Sequence, residues 1–349
     1  MPSGSESRPV PSRIRAVLGT RTRRGFYALA LILAGALCAA QSFGIAGWTV
    51  SAAAGASVLY GTAYEYVYDA NTGNKISELD WDINPLPTFA SRVLVRHQRT
   101  EFELSCSLGL DGNRGIMTDS DWLNEKLGDT STKTNYSEST AMGAGFTDLG
   151  LSVRQSFRLS PTLDLSSFVG FRYIYIAWAA QGGWLQYAID YHQGSSAPYS
   201  VYTTGQISAM SGTVSIYEQR YYAVIFGVDA NAALSREISF FGSLHLSPIV
   251  IASALDYHAL RDVTFKDSMS GGFLFQPALG LTWSPVSSFD LRLEGSYFLI
   301  SGLKGSDTET AGPSSNETDI APGQTIVYPN SAGAGIEFLS VELSAALRL

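Results

Sequence analysis

The chain has 349 residues, 45% hydrophobic, 12% aromatic and only 15% charged, with a formal net charge of −8. So much apolar material excludes a disordered chain, and the charged fraction lies well below the ~25% of a typical soluble domain. The acidic balance argues against a nucleic-acid partner, and beyond the N-terminus no run of ~18 apolar residues supplies a membrane helix.

Residues 1–40 read as an export signal. Arg8, Arg13, Arg15, Arg21, Arg23 and Arg24 precede an apolar stretch over 26–40, and Ala36, Cys38, Ala39 and Ala40 offer a cleavage site near Ala40 and Gln41. A twin-arginine signal at Arg23 and Arg24 is a weaker reading, because a membrane barrel travels unfolded. So is a lipid anchor on Cys38, which follows the bulky Leu37. Removing this segment takes away six arginines and Glu6, so residues 41–349, one domain without a linker, carry a charge of about −13. That charge favours a cationic partner or substrate. Cys106 is then alone, which leaves no disulfide and no cysteine metal site.

Ten strands follow in order, near 52–68, 75–97, 101–118, 132–158, 163–188, 212–234, 238–259, 262–284, 289–303 and 333–349. Apolar Phe102, Leu104, Cys106, Leu108 and Leu110 alternate with Glu101, Glu103, Ser105 and Ser107. Phe289, Leu291, Leu293 and Tyr297 alternate with Asp290, Arg292, Glu294 and Ser296, and the pattern recurs from Leu339 to Leu349. A period of two with ionised groups on one face predicts an all-β fold: a ten-stranded antiparallel transmembrane β-barrel with lipid outside and a polar lumen. A soluble sandwich also alternates, but it rarely needs strands this long. Spanning takes only about 9–11 residues, so the barrel is expected to extend beyond the membrane. Short turns at Ser160-Pro161 and 285–288 are expected on the periplasmic side, and loops 119–131, 185–211 and 304–332 outside.

Two short pairs carry candidate chemistry. Asp119 and Asp121 end one long strand, and Asp256 and His258 end another. Spacing of i, i+2 puts both members of each pair on one strand face. Asp119 and Asp121 share the parity of the inward Glu101 and Glu103. Asp256 and His258 do not share that of Ser243, His245 and Ser247, so a bulge near Pro248 is needed to turn them inward. Solvated strand ends are the plain alternative for both. One histidine with three carboxylates is a poor zinc set, and Asp119-x-Asp121 lacks the glycine and terminal glutamate of a calcium loop. No metal is therefore assigned, and His97, His192 and His245 are read as ordinary lumen or loop residues.

These residues sit within motifs that resemble the omptins, outer-membrane endopeptidases with a ten-stranded barrel. The most specific is Gly112-x-Arg114-Gly115-x-Met117-x-Asp119-x-Asp121-Trp122. Gly73-x-Lys75-x-Ser77-x-Leu79-Asp80-Trp81, Gly170-Phe171, Trp178-x-Ala180-x-Gly182-Gly183, Gln219-Arg220 and Gly333-x-Gly335-Ile336-Glu337 accompany it. The resemblance implies peptide-bond hydrolysis by an activated water, without a covalent intermediate or a metal. His258 would be the general base, Asp256 its orienting partner, and Asp119 and Asp121 the groups that hold the water. It also implies basic residues at the cleaved bond, read by Glu65 with Met117 as a pocket wall. A second pocket acid of the family falls at Ala254, so a dibasic preference is weakened. Lipopolysaccharide, which the family requires, would bind Arg220 and Lys266 on the outer wall, although Tyr173 and Tyr175 replace an acid and an arginine there. The remaining readings are a non-catalytic barrel, adhesive or structural, and a small channel.

Overall fold

The computed structural model describes residues 47–110, 114–191, 198–317 and 320–348; the expected signal at 1–40 and its cleavage site, and His192, lie outside them. The strands are β1 (Trp48–Tyr68), β2 (Lys75–His97), β3 (Thr100–Gly109), β4 (Arg114–Asp121), β5 (Asn135–Ser160), β6 (Leu163–Tyr187), β7 (Ile207–Ala233), β8 (Ile238–His258), β9 (Val263–Val286), β10 (Phe289–Ala311) and β11 (Thr325–Arg348). All pair antiparallel with their neighbours, and β1 pairs with both β2 and β11, which closes the ring. Strands β3 and β4 both lie between β2 and β5, one below the other. They are two halves of one staff, so the barrel has ten staves.

Three expected boundaries shift. Strand β4 runs through Asp121, because Asp121 pairs with Ser77 and with Asn135. Strand pairing likewise extends to Tyr187 and resumes at Ile207, and most of the loop expected at 304–332 is the top of a β10–β11 hairpin. These upper segments are rich in Ser, Thr and Gly. No lipid faces them, so their sequence lacks apolar alternation while their backbone still pairs.

The outer wall carries an apolar band. Phe240, Leu281, Leu293 and Leu343 stand in register across four strands, and all are exposed. Staves of 21 to 27 residues exceed the span of that band, and the upper wall is polar: Glu78, Asp80, Lys266, Ser268, Ser306 and Thr308 point outward there. Inside the lower barrel, Arg154 pairs with Glu101 and Asp229 at 2.8 Å each, and Arg172 with Asp148 at 2.6 Å. A cavity of about 160 Å³ remains among Arg92, Glu103, Arg172, His245 and Glu342. Above it Trp81, Trp178 and Tyr217, all fully buried, pack together at 5.3–6.3 Å between ring centres and fill the lumen.

Several staves change parity at mid-height. Residues Asn84-Pro85 on β2, Pro248-Ile249 on β8, Gly271 on β9 and Ser301-Gly302 on β10 are extra to their neighbours' registers. Gly271 and Gly302 have φ of +91° and +79°, a region that suits glycine. Below its bulge, β8 turns His245 and Ser247 inward; above it, Ala252, Ala254 and Asp256 are buried.

Candidate functional site

The shift at Pro248 is what brings the two pairs together. On β4, Met117 and Asp119 face Trp81 and Leu79 of β2, and Met117 is buried. On β8, Asp256 faces Tyr217 of β7, and His258 faces Ser215. The aromatic layer of Trp81 and Tyr217 thus underlies both walls.

Hydrogen bonds orient each pair. Ser77 Oγ donates to Asp119 Oδ1 at 3.4 Å, and Asn135 Nδ2 donates to Asp121 Oδ2 at 3.2 Å. Asp256 is buried; Ser215 Oγ donates to its Oδ1, and its Oδ2 meets Nε2 of His258. The other ring nitrogen, Nδ1, accepts from Arg261 Nη2 at 2.5 Å. A nitrogen against a carboxylate carries the proton and one against a guanidinium offers its lone pair, so the ring is protonated on Nε2. Phe265 packs edge-on against the imidazole, 5.2 Å between centres.

Charge couples the two walls. Burial, then repulsion from Asp121, raises the Asp119 carboxyl well above its ordinary range, while Arg261 opposes the shift and Asp256 adds to it. Burial also raises Asp121, against hydrogen bonds from Ser77 and Asn135 and the pull of Arg261 and His258. Two half-buried carboxyls pushed up together hold a proton more readily than either would alone.

Glu65 projects inward from β1 and is buried; burial first, then Asp256 and Asp267, raise its carboxyl. The remaining candidates lie elsewhere. Arg220 and Lys266 face outward on β7 and β9, above the apolar band. Arg220 pairs with Glu218 at 2.6 Å and lies over the Tyr175 ring.

Sequence reading missed Arg261, Asn135, Ser215, Asp267 and Asp307 at this site. Arg261 had a usable signal, since a four-residue turn right after His258 must hold its side chain near the ring. Ser215 had none, for only the β7–β8 register sets it opposite His258.

Comparison with known proteins identifies the family of the barrel. The model of the omptin family matches residues 47–348. The plasminogen activator of Yersinia pestis is 23% identical over 295 residues, covering 83% of this chain and 89% of that protein. The outer membrane protease OmpT of Escherichia coli has a similar fold, with a TM-score of 0.76 at 16% identity, covering 86% of this chain and 97% of that one. With the family model matched over nearly the whole barrel, the chain belongs to the omptin family of outer-membrane proteases, and its site lies at the outward-facing end.

Proposed function

We propose that this omptin is an endopeptidase that cuts beside basic residues with a water activated between its two walls. The observation that carries this reading is the convergence of Asp119, Asp121, Asp256 and His258 on one site above the aromatic layer, although the pairs lie more than 130 positions apart in the chain.

The chemistry follows from the orientation of each group. Asp256, fixed by Ser215, holds the Nε2 proton and stabilises an imidazolium. With Arg261 displaced from Nδ1 by the attacking water, His258 Nδ1 takes a proton from that water as its oxygen attacks the substrate carbonyl carbon. The proton shared by Asp119 and Asp121 passes to the leaving nitrogen as the C–N bond breaks, and the imidazolium proton returns to that carboxylate pair. No covalent intermediate and no metal enters these steps. Glu65 and Met117 flank the side chain next to the cleaved bond, and a carboxylate there favours Arg or Lys. Arg220 and Lys266 offer cations on the outer wall to a phosphorylated outer-membrane lipid such as lipopolysaccharide.

The test is refolding of the chain in detergent, with and without lipopolysaccharide, and cleavage of Arg- and Lys-containing peptides. Asp119→Asn and His258→Ala are expected to abolish cleavage. Cleavage of no peptide, or unchanged cleavage by both variants, would overturn the reading. A channel is not favoured, because Trp81, Trp178 and Tyr217 fill the lumen beneath the site.

A further inference from the structure

Beside the Asp256–His258 pair lies a second group of carboxylates that the mechanism does not use. Asp267 on β9 stands opposite Asp307 on β10, and their carboxyls hydrogen-bond each other. Across its other edge Asp267 stands opposite Ala254 on β8, two residues before Asp256. Glu65 faces this group from β1. It is 6% exposed, and its Oε2 has no hydrogen-bond partner among the described residues; nor has Oδ1 of Asp307.

Such an arrangement is costly unless something completes it. A buried carboxylate oxygen without a donor carries its full desolvation penalty. The charges acting most strongly on Glu65 are themselves carboxylates: Asp256, Asp267, Asp119 and Asp307. The bulges at Gly271 and Gly302 are what turn Asp267 and Asp307 inward; with unbroken alternation both would face outward. What the site lacks is a cation with several donors.

We propose that Glu65, Asp267 and Asp307 form one pocket for a single cationic side chain of the substrate, with Asp267 supplying from β9 the acid that Ala254 does not supply from β8. This rests on the proteolytic reading above and names its specificity residues. Acids on two sides of the pocket suit a guanidinium, whose donors fan out in a plane and can bridge both, better than an ammonium. The proton shared by Asp267 and Asp307 leaves to solvent as the cation enters, so binding strengthens as pH rises.

The experiment uses the full refolded chain and matched peptides bearing arginine or its neutral isostere citrulline next to the cleaved bond. Both kcat/KM in the active chain and affinity in the His258→Ala background are measured. Asp267→Asn and Asp307→Asn are expected to weaken the arginine peptide about tenfold or more, through KM and affinity, and to leave the citrulline peptide unchanged. Ala254→Asp in the Asp267→Asn background is expected to restore the preference. Equal affinity of the unsubstituted pocket for both peptides overturns the proposal, as does an arginine preference untouched in Asp267→Asn/Asp307→Asn. An arginine preference in binding that depends on Asp267, in a chain that cleaves nothing, supports the pocket and overturns the proteolytic reading alone.

Discussion

Arg261 Nη2 lies 2.5 Å from Nδ1 of His258, on the ring edge turned away from Asp256. Its other partner is Glu317 at 3.2 Å, and the following residue, Asp262, accepts from the backbone of Gly312 and Ser314. The β8–β9 turn and the loop after β10 therefore hold a guanidinium over the lone pair that must receive a proton from water. The same cation opposes the upward shift of the carboxyls of Asp119 and Asp121.

Removing that charge has a definite sign. In Arg261→Gln the two carboxyls lose an attraction that favours their ionised form, so their apparent pKa rises. Further protonation of the pair then begins at higher pH. The acidic limb of kcat/KM is expected to move upward in pH, with activity lost first on the acid side. A pH–rate profile of the variant checks this, and an unmoved or lowered limb contradicts it.

Ser215 acts through Asp256. Its hydroxyl satisfies Oδ1 of a buried carboxylate whose other oxygen holds His258. A hydrogen bond to a charged group is worth about 1.5–3 kcal/mol. Ser215→Ala is therefore expected to lower kcat on the order of tenfold or more with KM little changed. A purely structural role would instead show as lost thermal stability with kcat intact.

How much of this was legible in the sequence depends on the stave. The alternation at Phe102–Leu110 was enough to assign the lumen side of Glu101 and Glu103, because lipid and water select opposite side chains there. The need for an irregularity near Pro248 was also readable, from the clash between Ser247 and Asp256 in parity. Asp267 and Asp307 were not readable as lumen groups. Their inward turn depends on two glycine bulges, and their mutual contact depends on a register set across a whole hairpin. The tops of β10 and β11 look like loop in the sequence because Ser and Thr strands above the lipid carry no apolar period.

The bulge on β8 is itself testable. Deleting Ile249 removes an outward residue at the irregularity and allows continuous alternation with β7. Ser247 and Val250 then stand two positions apart, so Asp256 and His258 keep their facing and their partners on β7, and activity is expected to survive in a chain that shows the gel-mobility shift of a folded barrel. Removing Pro248 as well puts Val250 next to Ser247, reverses the facing of every residue beyond it, and is expected to abolish activity. Loss of activity on deleting Ile249 alone would mean that the site needs the irregularity itself.

Beneath the site, Trp81 stacks on Tyr217 at 5.3 Å and packs at a tilt against Trp178 at 5.8 Å. All three are fully buried. Trp81→Ala leaves a large void in this layer, and such truncations cost about 3–5 kcal/mol. Urea unfolding from detergent micelles is expected to show that loss. Because Trp81 pairs with Met117, the variant is also expected to raise KM.

On the outer wall, Arg220 and Lys266 are two strands apart, on either side of β8. Arg220 is held by Glu218 and the Tyr175 ring, close to Tyr173 and Tyr222, whose rings pack 5.2 Å apart. A phosphorylated lipid would meet two cations above an aromatic rim, and exposed charges of this kind are screened by salt. Arg220→Ala and Lys266→Ala are expected to raise the lipopolysaccharide concentration needed for half-maximal activity about tenfold together, and to leave any lipid-free activity unchanged. The shift should shrink at high ionic strength. If the double variant responds to lipid as the parent does, the lipid does not act through this face, and the tyrosines serve only as an interfacial rim.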